Sequence, residues 1–160
     1  MVVQAEADTL VTCTSRDVLE LVLDLDRYRQ ADTKIGRVIR PVVLDQHGHG
    51  STRYWGHMRG LPPAPDTNLV KLTPWTELTF TGAPHQPGRL VVDFQGTFRC
   101  EPTDAGCRVT HRYELSFHRP WRWIYGAGLQ DWLQREVIDE MARLAALLDT
   151  GEAGAPPSPD

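Results

Sequence analysis

Apolar and polar residues alternate with a period of two along two long stretches of the chain. In the first, Leu90, Val92, Phe94, Gly96, Phe98 and Cys100 share one parity against Arg89, Asp93, Gln95, Thr97 and Arg99, with Val91 out of step. In the second, Val109, His111, Tyr113, Leu115 and Phe117 oppose Arg108, Thr110, Arg112, Glu114, Ser116 and His118. Such patterning belongs to an antiparallel sheet with one buried and one wet face. The same reading predicts a first strand over residues 2–13, with Val3, Ala5, Ala7, Thr9 and Val11 on one side. Further strands are expected over 35–45, 51–59, 68–73, 77–82, 89–101 and 107–118, separated by Gly- and Pro-rich turns.

Helical periodicity occurs twice. Thr14-Ser15-Arg16-Asp17 has the form of a capping box, and Val18, Leu21, Val22 and Leu25 follow at helical spacing, with a second short helix or turn over 26–30. Pro120 is expected to open the longest helix, which ends near Asp149. Trp132 or Leu133, then Val137, Met141, Leu144 and Leu148, form its apolar stripe, and Arg135, Asp139, Glu140 and Arg143 are assigned to its wet surface. Gly126 and Gly128 predict a kink in its first turns.

A sheet with one apolar face and only one long amphipathic helix buries both by curling around that helix. The expected fold class is therefore α+β: a seven-stranded curved antiparallel sheet wrapped around a long C-terminal helix, with two short helices between strands 1 and 2. Seven strands enclose more volume than one helix fills, which leaves a pocket for an apolar ligand at the open end. The chain reads as one domain over 1–149, with a Gly- and Pro-rich tail over 150–160 expected to be disordered.

Composition narrows the classes. Of 160 residues, 41% are hydrophobic and 24% charged, which is globular, and no apolar run is long enough to span a membrane. The net charge of −4 disfavours nucleic acid as a partner. The first residues lack the basic and apolar regions of a secretory signal, and Cys13, Cys100 and Cys107 form no C-x-x-C pair. These features predict a cytoplasmic protein with free thiols, although Cys100 and Cys107 flank a turn and are expected to face each other across a hairpin. His47-Gly48-His49 lies in a turn and lacks the spacing of a metal set, so neither a metal nor another cofactor is expected.

The order strand, two short helices, six strands, long helix resembles the START-like superfamily, often called SRPBCC. This family includes polyketide cyclases and dehydrases and lipid-transport-like proteins. The resemblance rests on the opening from Ala7 to Tyr28, with Thr14-Ser15-Arg16-Asp17-Val18 and Leu25-Asp26-Arg27-Tyr28, and on the closing helix from Trp132-Leu133 to Leu148. It implies a helix-grip fold with a hydrophobic-ligand cavity. It does not imply a reaction, because a fold does not fix a function.

His111 and Tyr113 are the polar pair on an otherwise apolar face. As functional groups they predict proton transfer by His111 and a hydrogen bond from Tyr113 to a ligand oxygen; as structural groups they are satisfied core side chains. Residues 51–59 admit two facings. The favoured one turns Tyr54, Gly56 and Met58 inward and leaves Trp55 exposed, because the other buries Arg53 with His57. The run from His118 to Tyr125, containing Trp121 and Trp123, suits a transient membrane contact, a gate, or simple packing of the helix start. Expected ligand contacts are Tyr54, Met58, Leu78, Phe80, Phe94, Phe98, His111, Tyr113, Phe117, Leu129 and Leu133. The expected function is binding of a small hydrophobic ligand such as a lipid or polyketide. The alternatives are a cyclase or dehydratase using His111 and Tyr113, and a docking module using Trp121–Trp123. The oligomeric state is left open.

Overall fold

A computed structural model describes residues 2–121 and 128–150. The elements in chain order are β1 (Val2–Val11), α1 (Ser15–Leu23), α2 (Leu25–Tyr28), β2 (Ile35–Leu44), β3 (His49–Gly56), β4 (Ala64–Thr73), β5 (Glu77–Gly82), β6 (Val92–Thr103), β7 (Gly106–Phe117) and α3 (Leu129–Asp149). The seven strands form one antiparallel sheet in the order β1-β7-β6-β5-β4-β3-β2. The α+β class, the strand count and the two short helices between β1 and β2 follow the sequence pattern.

Local chemistry explains the borders. Thr14 Oγ1 accepts from the Asp17 amide at 3.2 Å, and Asp17 Oδ2 accepts from the Thr14 amide at 2.9 Å, so two orphan donors at the start of α1 are satisfied. The short β6–β7 turn lets twelve-residue strands pair along their whole length. Two apolar clusters fill the space between sheet and helices. One joins α1 and α2 to Leu78, Phe98, Met141 and Leu144; the other joins Val3, Leu115 and Phe117 to Leu129, Leu133 and Val137.

Several borders differ from expectation. The helix α3 begins at Leu129, with Gly128 at its N-cap in a left-handed conformation (φ 78°). Gly128 therefore starts the helix instead of kinking it; Gly126 lies outside the described residues, as do Trp123 and the tail from 151. Strand β4 begins at Ala64 and includes Pro65 opposite Trp55. Proline is tolerated there because β5 stops at Gly82, opposite Asn68, so no strand needs the missing donor. Leu90, expected on the inner face, is 76% exposed, because a 3-10 turn over Pro87–Leu90 delays β6 to Val92. Cys107 pairs with Pro102 and Cys100 with Val109, so the two thiols are diagonal neighbours on one face of the hairpin, in contact but not directly opposite; all three cysteines are free. No helix among the described residues is long and apolar enough to cross a membrane.

Candidate functional site

The inward parity of β7 carries His111 and Tyr113 into the space beneath α3, and α3 meets them with Glu140. This carboxylate was expected on the wet surface, but it is fully buried. Its place is fixed by spacing, three residues after Val137 and seven after Leu133, both in the core. Tyr28 from α2 donates its hydroxyl to Glu140 Oε1. Lys34 Nζ reaches Glu140 Oε2 at 2.6 Å and Asp32 Oδ1 at 2.7 Å. The His111 ring stacks flat on Phe98, with centroids 3.9 Å apart, and its Nδ1 lies 3.1 Å from the Thr97 carbonyl. Because that carbonyl can only accept, Nδ1 carries a proton. His111 Nε2 stands 3.2 Å from Glu140 Oε1, an ion-pair distance for a protonated ring, but out of line for a hydrogen bond.

Burial alone would raise the Glu140 carboxyl. The attraction of the facing His111 and Lys34, with the hydrogen bond from Lys34, outweighs burial and holds it at about 2. Burial would lower the Lys34 ammonium, yet Asp32 and Glu140 together hold it well above the usual lysine range. Asp32 is raised, by burial first and by Glu140 second, against the pull of Lys34. Lys34 is thus a locked cation and a poor nucleophile. Burial also pushes up the hydroxyls of Tyr54 and Tyr113, keeping both as donors.

Next to this cluster lies a cavity of about 630 Å³, which opens where β5 falls short of its neighbours. Its described lining includes Met58, Leu61, Pro62, Val92 and Phe94 on the apolar side, with Lys34, Tyr54, Asp66 and Tyr113 among the polar groups. Behind it is a void of about 20 Å³, walled by Tyr28, Asp32, Phe80, Phe98, Gly96 and His111, room for about one water. Tyr54, Phe94 and Tyr113 border both spaces. The Tyr54 hydroxyl accepts from Asn68 Nδ2 at 3.0 Å. The Tyr113 hydroxyl makes no hydrogen bond among the described residues, while its ring packs against Phe94 and lies 5.0 Å from Lys34 Nζ.

The family described as polyketide cyclase/dehydrase and lipid transport matches the chain over residues 2–149. The chain belongs to that family. Solved structures agree on the fold. The Thermus thermophilus protein TTHA0849 superposes with a TM-score of 0.72 at 14% identity, covering 93% of this chain and 99% of that one. The Zhui aromatase/cyclase from Streptomyces sp. R1128 gives 0.68 at 14% identity, with 93% and 94% covered. The di-domain aromatase/cyclase StfQ of the steffimycin biosynthetic pathway gives 0.67 at 15% identity; 94% of this chain is covered but only 52% of StfQ, about half its length. Identities this low speak to the helix-grip fold alone. No curated protein matches the chain closely by sequence.

Within this member of the cyclase/dehydrase family, the expected contact residues separate into three groups. Tyr54, Met58, Phe94 and Tyr113 line the large cavity, and Phe80, Phe98 and His111 line the small void behind it. Leu78, Phe117, Leu129 and Leu133 sit in the packed core, away from either space. The favoured facing of residues 51–59 matches the structure: Tyr54 is buried and Trp55 is 38% exposed. Trp121 is half-buried against the second core cluster. Sequence reasoning missed Lys34, Asp32, Tyr28 and Glu140 as site residues. The helical spacing of Glu140 was a usable signal; Asp32 and Lys34 lie in the irregular link before β2, where no period points inward.

Proposed function

We propose that this protein binds a small hydrophobic molecule bearing carbonyl or hydroxyl oxygens, in the 630 Å³ cavity. The observation that carries this reading is the Tyr113 hydroxyl: carried by a buried residue that lines the cavity beside apolar walls, with no hydrogen bond to another described residue. A donor that faces a cavity and is not used by the protein is free to hydrogen-bond a ligand oxygen. The volume suits such a ligand, since small-molecule sites run to about 300–1,000 Å³. Met58 and Phe94 would contribute apolar burial, at about 25 cal/mol per Å². Tyr54 and Tyr113 would orient the oxygens. Phe80, Phe98 and His111 would support the deep end, with Leu78, Phe117, Leu129 and Leu133 as the core that holds these walls.

Native mass spectrometry of the purified protein should reveal a bound or added hydrophobic guest. Tyr113→Phe should weaken a ketone ligand about tenfold, the worth of one good hydrogen bond, while sparing a hydrocarbon of equal size. Failure of any compound in a hydrophobic library to bind would sink the proposal.

A second reading is an enzyme of the cyclase or dehydratase kind. Its support is the His111–Glu140 pair at the rear of the site, with the aromatase/cyclase relatives of the same fold. His111 would take a proton α to a ketone, and Tyr113 would hydrogen-bond the enolate. On this reading His111→Ala abolishes turnover of a poly-β-ketone thioester and leaves its affinity nearly intact. Equal loss of both assigns His111 a structural role.

A further inference from the structure

Charge is arranged unevenly from the floor of the cavity to its mouth. At the floor, Lys34 is matched by Asp32 and Glu140. On the side, Arg89 is matched by Asp93, which also holds His118 Nε2 at 2.9 Å. At the mouth the balance changes. Arg53 lines the large cavity, and Arg59 lines an adjoining space of about 190 Å³ that shares Lys34, His57, Met58 and Leu61 with it. Both arginines are exposed, and neither has an acidic partner among the described residues. Asp66 is the carboxylate lining the large cavity among these residues; it is partly buried and accepts from Asn68 Nδ2. A chain of net charge −4 thus presents two uncompensated cations at its opening.

We propose that the ligand is an amphipathic anion that enters with its uncharged end first. The anionic group, a carboxylate or a phosphate, rests at the mouth against Arg53 and Arg59, whose forked guanidiniums suit both. The apolar body lies along Met58 and Phe94. The distal end carries a neutral carbonyl or hydroxyl, which accepts from Tyr113. The opposite orientation would bring the anion to Lys34, whose charge is already taken up by Asp32 and Glu140, so the floor offers it no unpaired cation. The inference rests on the cavity being a ligand site and adds the charge and the direction of the guest.

The test is displacement of a neutral fluorescent probe, N-phenylnaphthylamine, by decanol, decanoate, decyl phosphate, decylammonium and ω-hydroxydecanoate. The anions should bind about fivefold tighter than decanol, and decylammonium more weakly than decanol, as expected for two exposed charges. That preference should vanish in the Arg53→Gln/Arg59→Gln variant, whose changes are on the surface and leave the fold intact, and should fade in about 0.5 M sodium chloride. A preference for decyl phosphate over decanoate points to a phosphate-bearing guest, and the reverse to a free acid. ω-Hydroxydecanoate should gain about fivefold over decanoate, and Tyr113→Phe should erase the gain. Equal binding of decanol and the anions, or an anion preference that survives the double arginine change, overturns the inference while leaving the cavity a ligand site. If the probe does not bind, or no compound displaces it, both readings fall.

Discussion

Removing Glu140 would leave Lys34 and His111 beside Asp32 alone, in a space from which water is largely excluded. Breaking a buried ion pair from one side costs far more than replacing both partners with apolar groups. Glu140→Leu should therefore lower unfolding stability by about 3 kcal/mol, read in urea, and Lys34→Met in the same chain should restore much of that loss. A double variant no better than the single one would show that the two charges are not each other's main partners. The pH dependence has a definite sign. Glu140 is held at about 2, below its ordinary 4.5, so its stabilising effect is complete above about 4.5 and is lost as pH falls toward 2. Asp32, raised above 3.8, acts in the opposite sense: its favourable contribution belongs to low pH and fades as pH rises. Wild type should thus lose stability between about pH 4.5 and 2 more steeply than Glu140→Gln does. The chemical type of Glu140 argued for the surface, and only its place seven residues beyond Leu133 argued for the interior. Packing and the partners supplied by other elements decided it, and those partners lie far away in the sequence.

At the scale of elements, the exposed edge of β1 is closed in an unusual way. Gln130 and Gln134, one turn apart on α3, act as a surrogate strand. Gln130 exchanges hydrogen bonds with the backbone of Gln4, and Gln134 does the same with Glu6, donating to its carbonyl at 2.8 Å and accepting from its amide at 3.3 Å. An open strand edge is a template for association, and two side-chain amides cover this one. Gln130→Ala/Gln134→Ala should cost about 1 kcal/mol per position and speed amide exchange at Gln4 and Glu6. It should also promote association at high protein concentration. Unchanged exchange at those two amides would show that the glutamines contribute nothing to the edge. The alternation of β6 and β7 was fully legible, because one face of each strand is dry and the other wet. The start of β4 was not. Pro65 argues against a strand wherever both neighbours need hydrogen bonds, and here one neighbour is missing, which only the length of β5 determines.

For the molecule as a whole, that short strand determines where the interior can be entered. β5 has six residues between a β4 of ten and a β6 of twelve, so the sheet is open at one end. The segment after β5 spans the opening, fastened by Gln86, which accepts from the Thr67 amide at 2.9 Å and donates to the Thr67 carbonyl at 2.8 Å. Arg89 adds a bond to the Gly82 carbonyl at 2.9 Å. That seven strands around one helix leave space inside follows from counting elements. The position of the space does not, because it depends on a strand ending and on an amide side chain standing in for the missing ladder. If Gln86 holds the segment across the opening, Gln86→Ala should accelerate amide exchange at Thr67 and raise both the entry and exit rates of a cavity probe in stopped-flow fluorescence. The equilibrium constant should change less than either rate, because loosening the segment across the opening speeds entry and exit alike. Gln86 also lines the cavity, so a rise in the exit rate alone would mean that its contact with the guest, and not its hold on the segment, is what matters.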